Sequence, residues 1–593
     1  MAAGPRAALA DGLKHAALAA AVGLAGSLAL FGPNLPYFSR YAIGATGTDA
    51  QKHIWCQWWT WTRFVEDGRI PLEAELINFP EGGAFFCVDS GNALLGGPLR
   101  PFLDAAVVYD LLFLVNATLA ALAAALLARE VNGPGPASLF AGAGFAFCAW
   151  VMAFAVNSGV SETDFLFPMP LAILFGLRML TRRGWGAPVL CAGFLLLQAF
   201  ACWSYGIIAS VILGLMGLLW LLARPWRAPA TAGWRMDWKA VVRILMSLGV
   251  VALAAAPLFL SVSGSVTDAD AVYDRHLTIF PSPDRPPSFY PIFNNFPLDH
   301  FFTPGAEGLI IQSRGVEQLL YAAWPGALVW VLALLGLVVG GARARMSGVA
   351  AALCLTLALG PYVQLTAAHE GRYNAVYHLF YNYFPLFNAT IHSTDRFAVG
   401  FQLSLVVTAA AGLGWLLAKL PEKVRLPGAL VACALAIADA AVLSPAPWPV
   451  AQTPATAHPA SVVMGERDVG AVIDLPFYEA DSEQFIGDIF LQQTIHHQAV
   501  PYRLDGIGVQ VVSPALRGNR FYRRLEAILM GTQSMGGEGC DGASGLAELG
   551  FGAVLLRTGE THPDALEATQ VLLEECLGPG EQIGDRVLYD LWR

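Results

Sequence analysis

The sequence predicts a mainly α, polytopic helical membrane protein that carries a small C-terminal outer α/β domain. Three observations predict it. Of 593 residues, 56% are hydrophobic and 13% charged, where a soluble domain has about 25% charged residues; the mean hydropathy is +0.53. Apolar stretches near the roughly 20 residues that cross a roughly 30 Å hydrocarbon core recur along the first three quarters of the chain. After about Leu443 the composition turns soluble, and strand-like and helix-like segments alternate. The formal charge of -10 and a pI near 5.6 give no basic surface for nucleic acid, so the bilayer is the partner read first.

The first apolar run, 14–32, follows Arg6 and Lys14 as a signal peptide does, but lacks a clear small-x-small cleavage site and reads as an uncleaved span. Further spans are expected near 102–128, 137–156, 165–181, 186–202, 206–223, 241–262, 318–340, 347–366, 397–418 and 427–445, about 11 in all. The run Trp185–Leu222 is too long for one crossing. It is split at Cys202-Trp-Ser-Tyr205-Gly206, where a glycine permits a tight turn. Alternate short connections carry the Lys and Arg: Arg129; Arg178, Arg182 and Arg183; Arg224 to Arg243; Arg343 and Arg345; Lys419, Lys423 and Arg425. That alternation puts the amino terminus inside and the carboxyl terminus outside. The outer loops are then 36–101, 157–164, 263–317 and 369–396. The second is short, but loops as long as the other three and as rich in aromatic and polar residues point to function.

Residues 1–445 thus form a membrane domain, and 446–593 an outer domain reached through the Pro- and Ala-rich linker Ser444–Pro459. In the outer domain Val469–Pro476, Phe551–Arg557 and Val587–Trp592 read as strands, and Phe485–His497 and Pro563–Leu577 as helices. Cys148, Cys191, Cys202, Cys354 and Cys433 fall in spans and act as small apolar residues. Cys56 with Cys87, and Cys540 with Cys576, share outer segments where an oxidising exterior permits disulfides.

The chain is organised around the first outer loop. Asp49 stands just past the first span and leads into His53, Trp55, Trp58, Trp59 and Trp61. Indoles collect where an apolar ring and a wet N–H are both satisfied, so this helix is expected in the membrane interface. Asp49 there suits a general base. It equally suits a helix N-cap. Glu162 and Asp164, two apart in a short outer loop, can hold a divalent metal through hard oxygen ligands or stand as solvated acids. Arg314, Arg372 and Arg396 lie outside against the cytoplasmic bias of basic residues. A guanidinium there suits a lipid phosphate, a headgroup or a local pair such as Asp395–Arg396. His53, one turn after Asp49, is placed to orient it, and His300 and His392 are candidates for the same cavity. Trp58 and Tyr205 fit an interfacial belt or a surface that stacks on sugar rings.

These residues resemble, over almost the whole chain, the polytopic glycosyltransferases of the GT-C fold, and in particular bacterial members with a short outer C-terminal domain. The carriers are Asp49 with its Trp-rich helix, Gly68-Arg-Ile-Pro71 and Asn78-Phe-Pro80-Glu-Gly82-Gly83. Asp164-Phe-Leu-Phe-Pro168 opens a span, and Pro297-Leu-Asp299-His300 lies in the third outer loop. His392-Ser-Thr-Asp395-Arg396-Phe397 precedes the tenth span, and Ile473-Asp-Leu-Pro476 opens the outer domain. The resemblance implies a sugar donor on polyprenyl phosphate, an acidic residue of the first outer loop as base, and inversion at the anomeric carbon. Asp49 is the matching position, although Thr48 and Ala50 flank it where better-known members have adjacent acids. It also implies a bacterial inner membrane with the outer domain in the periplasm, and an acceptor that is a glycan, lipid or protein. No cofactor is implied beyond a possible divalent metal. The rival reading is a non-catalytic scaffold or a lipid or glycan transporter on the same fold. A transporter should bury ionisable residues near the bilayer midplane. Here only Asp110, Asp439 and Arg178 come near that, each close to an interface.

Overall fold

The computed structural model describes residues 5–85, 89–181, 184–223, 242–247, 249–254, 256, 296–305, 308–312, 317–366, 371–383, 387, 394–467, 469–476, 483–502, 512–532 and 540–591. Among them six helices are long and apolar enough to cross a bilayer: Leu9–Tyr37, Ala105–Asn132, Ser161–Leu180, Trp203–Trp220, Thr394–Ala418 and Glu422–Leu443. The pair Ala137–Ala146 and Val151–Asn157, bent by 44°, makes a seventh if it forms one span. The protein is a multi-pass membrane protein. The expected count of about 11 is met only in part. The stretches at 186–202, 318–340 and 347–366 fold as Gly186–Ala201, Ala327–Val339 and Ala342–Ala358, of 16, 13 and 17 residues. The second of these is shortened because Glu317–Tyr321 is spent on an antiparallel pair with Gly308–Gln312, and the helix starts only after Gly326. The stretch 241–262 contains the shorter apolar helix Val242–Ala254, and of 255–262 only residue 256 is among the described residues. The expected turn at Cys202 is present: one helix ends at Ala201 and the next starts at Trp203. Gly206 is pressed against Ala199, where a Cβ would come within 2.9 Å of the alanine's own.

Lipid tails are as apolar as leucine, so helices in a bilayer associate where small residues let backbones touch. A Cβ at Gly336 would fall 2.0 Å from the Thr408 carbonyl oxygen, and one at Gly412 would fall 2.1 Å from that of Leu332. Helices Ala327–Val339 and Phe397–Ala418 therefore meet backbone to backbone.

The C-terminal segment forms a four-stranded mixed sheet in the order Glu581–Ile583, Arg586–Asp590, Phe551–Arg557, Ala471–Leu475. The last two strands are parallel, and the others antiparallel. The strands and helices expected from the sequence are all there. Cys540 and Cys576 are joined, with their Cα atoms 5.1 Å apart. Cys87 lies outside the described residues, as do Arg314 and His392.

This sheet shares its core with the loop 36–101, expected from the sequence as the first outer loop. Trp55, Trp59, Ile77 and Phe85 pack in one cluster with Ile473, Phe490, Tyr502 and Phe551. Strand Tyr41–Ile43 pairs with Gln452–Pro454, and the Asn78 and Phe79 N–H groups donate to Tyr502 and Val500 at 2.8 and 3.0 Å. Trp55 and Trp59 are accordingly inside protein (0% and 2% exposed), not at a lipid boundary as the interfacial-belt reading expects. The reason is the outer helix Glu483–His496, which covers them: Gly487 leaves no room for a Cβ, which would fall 2.8 Å from Gln51 Oε1.

A buried ion network pins the sheet. Arg557 donates to both Asp474 oxygens and to Asp488 at 2.7 Å, and Arg586 donates to Asp488 at 2.9 Å. Burial pushes the Asp488 carboxyl up, but Arg557 and Arg586 outweigh it and hold it below the usual carboxylate value. Breaking one partner of such a pair leaves a buried charge alone, so Arg557→Met is expected to cost about 3–5 kcal/mol in thermal or denaturant unfolding. Because the folded value of Asp488 is depressed, its contribution is complete above the ordinary value near 4 and is lost as pH falls through the lowered one. The wild-type melting temperature should drop below about pH 4 more steeply than that of Asp488→Asn.

Candidate functional site

The site begins where the loops 36–101 and 157–164 close on each other. Gly159, at φ +65°, faces Ala50, and a Cβ there would come within 2.6 Å of the alanine Cβ. Ala45 N–H donates to Asn157 O at 2.7 Å, and Asp49 N–H to Ser158 O at 3.3 Å. Tyr109 OH donates to Gly159 O at 2.8 Å and Ile43 O at 3.2 Å. Asp110 Oδ1 accepts the Ile43 N–H at 2.7 Å. The span Ala105–Asn132 thus holds both loops at its outer end, and Asp110 serves backbone anchoring there.

Asp49 occupies the N-cap position of helix Ala50–Trp61, but its side chain makes no capping bond. The carboxylate instead pairs with Lys52 Nζ at 2.9 Å and stays 22% exposed. One turn on, the His53 ring is buried with Nδ1 3.4 Å from Asp89 Oδ2. Asp89 is the residue that sequence reasoning missed. It is fully buried, at φ 62° in the left-handed region, and opens helix Ser90–Gly96. Gln57 Nε2 donates to its Oδ2 at 2.7 Å, Asn92 Nδ2 to its Oδ1 at 2.7 Å, and Ser161 Oγ to its Oδ2. Asn92 also donates to Ser161 O at 2.8 Å and accepts from Asn116 at 2.7 Å. Burial pushes His53 down, but contact with Asp89 and the charges of Asp89, Asp49 and Glu162 outweigh it, so the ring titrates above its ordinary 6.5. A turn-prone Asp-Ser-Gly in a polar loop was the only sequence signal for Asp89.

Glu162 turns toward Arg396, whose Nη2 lies 3.2 Å from Glu162 Oε1. Arg396 Nη1 donates to Ser204 Oγ at 3.2 Å and contacts Cys202 Sγ at 3.3 Å. Tyr205 is buried beside this group, with its ring 5.9 Å from Trp150. Asp164 is buried, and its Oδ2 has no hydrogen-bond partner among the described residues. Of the proposed metal pair Glu162 and Asp164, the first is engaged by Arg396. Among the described residues no group of three or more His, Cys, Asp or Glu side chains is arranged to hold a metal ion. His300 sits apart, in the turn Leu298–Phe301 with its ring 6.0 Å from that of Phe296, and burial lowers its pKa against the opposing charge of Asp299. Arg372 is exposed on the two-residue strand Arg372–Tyr373. The structure therefore gathers Asp49, His53, Glu162, Asp164, Arg396 and Tyr205, and does not bring Arg372 into their contacts.

Trp58 faces elsewhere. Its ring stacks on His497 at 5.1 Å and borders a cavity of about 520 Å³ that also takes in Trp61, Arg100, Asp104, Thr456 and Thr494.

These features define a polytopic membrane protein with a buried polar cluster between the loops 36–101 and 157–164 and a mixed sheet packed against the first of them. No family model matches the sequence, and no curated protein matches it. Solved structures do. The arabinofuranosyltransferase AftD from Mycobacteria matches 97% of this chain at 15% identity and a TM-score of 0.50, and the chain spans 41% of its length. ArnT from Cupriavidus metallidurans matches over 99% of this chain and 98% of its own, at 12% identity and a TM-score of 0.46. The oligosaccharyltransferase AglB from Archaeoglobus fulgidus, in complex with an inhibitory peptide and a dolichol-phosphate, matches over 96% and 71%, at 12% and 0.47. The match to AftD, over nearly the whole chain, shows the GT-C fold that the sequence resemblance implied.

Two outcomes follow from this geometry. Gly159→Ala adds strain at positive φ and drives a methyl into Ala50, so it should cost about 1–3 kcal/mol in thermal unfolding and loosen the loop pair, read as faster amide exchange at Ala45 and Asp49. Because the folded value of His53 is raised, its stabilisation is complete below about pH 6.5 and fades as pH rises through the raised value. The gap in melting temperature between wild type and His53→Gln should narrow over that rise.

Proposed function

We propose that the chain is a membrane glycosyltransferase that moves a sugar from a polyprenyl-phosphate donor to an extracytoplasmic acceptor, with inversion. The observation that carries this reading is the closure of the loops 36–101 and 157–164, which leaves the 22%-exposed carboxylate of Asp49 at the rim of the buried cluster of His53, Asp89 and Glu162. Asp49 takes the proton of the acceptor hydroxyl while that oxygen attacks the anomeric carbon. The bond from that carbon to the phosphate oxygen breaks, and polyprenyl phosphate leaves with the electron pair. Lys52, 2.9 Å from its Oδ1, orients the Asp49 carboxylate. Arg396, held by Glu162 and Ser204, is the cation for the departing phosphate, with Arg372 and Arg314 as its candidate helpers. The amino terminus lies inside, in a bacterial inner membrane. Residues 446–593 form the outer domain in the periplasm and stand over the acceptor.

The test is turnover in lipid nanodiscs with a panel of polyprenyl-phosphate sugars, scored by release of polyprenyl phosphate. Asp49→Asn should lower turnover by at least about 100-fold. Equal turnover by that variant removes Asp49 from the chemistry. Absence of turnover with every donor favours a non-catalytic scaffold.

A further inference from the structure

The 520 Å³ cavity is separate from the Asp49 cluster and lies where the outer end of span Ala105–Asn132 meets the outer helix Glu483–His496. Its size is that of a small-ligand pocket, about 300–1,000 Å³. Three features of its wall select a ligand.

The first is Arg100. Its Nε and Nη2 are buried with no hydrogen-bond partner among the described residues. Burial lowers the guanidinium to about 10, against the charges of Asp89 and Glu66, so it is still a cation at neutral pH. A buried cation with idle donors is costly unless an anion meets it. The second is a pair of indoles. Trp58 is backed by His497. Trp61 lies flat on Gly97, where a Cβ would fall 1.8 Å from Trp61 Cε3, so that ring is held by an absent side chain. Flat aromatic faces of this kind take the C–H face of a sugar ring. The third is a mixed polar rim of Thr62, Thr456, Thr494, Glu66 and Asp104. Asp104 holds the N-cap position of its helix without a capping bond from its side chain. Hydroxyl groups satisfy such acceptors, and the two carboxylates repel a ligand with several negative charges.

We propose that this cavity binds a saccharide carrying one anionic group, with Arg100 on the anion and Trp58 and Trp61 against the ring. Binding there needs no glycosyl transfer at Asp49, so it stands or falls separately from the catalytic reading.

The test uses the full chain in phosphatidylcholine nanodiscs and calorimetric titration with a glucuronate-containing disaccharide, its neutral glucose counterpart, and polyprenyl monophosphate added to the bilayer. The anionic disaccharide should bind at least about tenfold more tightly than the neutral one. Arg100→Gln should erase that preference, Arg100→Lys should keep part of it, and Gly97→Ala, which displaces Trp61, should weaken both sugars. If Arg100→Gln does not fold, the wild-type preference and the Arg100→Lys value decide. Equal binding of the two sugars, no sugar binding, or a preference that survives Arg100→Gln overturns the proposal. Binding of polyprenyl phosphate alone, lost in Arg100→Gln, overturns it in favour of a lipid headgroup.

Discussion

The packing of the loops 36–101 and 157–164 depends on satisfying one buried carboxylate. Asp89 has no exposure and sits at a positive φ that a non-glycine residue adopts only at a cost. An unpaired charge in that place would be prohibitive. Its partners come from three stretches: the Trp-rich helix, with Gln57 donating and the His53 ring 3.4 Å away, the short helix that Asp89 itself opens, with Asn92, and the loop 157–164, with Ser161. None of these segments can move without stranding the charge. Asp49, one turn before His53, and Glu162, next to Ser161, thereby acquire fixed relative positions.

The second constraint is the shared core between the first outer loop and the C-terminal sheet. A Trp-rich helix after a membrane span ordinarily finds its apolar partner in lipid. Here Phe490 lies 5.6 Å from the Trp55 ring, and Trp55 stacks on Trp59 at 5.7 Å. The outer segment thus completes the first loop, and its Arg557 network keeps the covering sheet in one arrangement. The same closeness creates the Arg100 cavity, which has walls from the span, the Trp helix and the outer helix. The proposed base and the proposed saccharide pocket therefore flank one helix: Asp49 and His53 at its start, Trp58 and Trp61 at its end.

Much of this was legible in the chain itself. The six long apolar helices fall on stretches that apolar length marks, because a bilayer demands about 20 such residues whatever their neighbours, whereas 186–202, 318–340 and 347–366 fold as shorter helices. The outer strands Ala471–Leu475 and Phe551–Arg557 follow from short β-rich runs between helical stretches. Asp49 stood out as a lone acid between a span and a cluster of indoles. Asp89 did not: an acid in Val-Asp-Ser-Gly looks like any turn. Arg100 was equally silent, since idle donors are a property of surroundings.

What composition and periodicity determined by themselves is a helical membrane protein with a soluble α/β end, because those patterns report local length, burial and alternation. Tertiary structure alone decided which distant polar groups meet. Asp89 and Ser161 are 72 residues apart, and Gln493 and Leu76 are 417 apart. Such pairings depend on how helices close on glycines and on which buried charge must be shared. No window of neighbouring residues carries that information, because the cost of an unsatisfied group is set by whatever the folded chain places beside it.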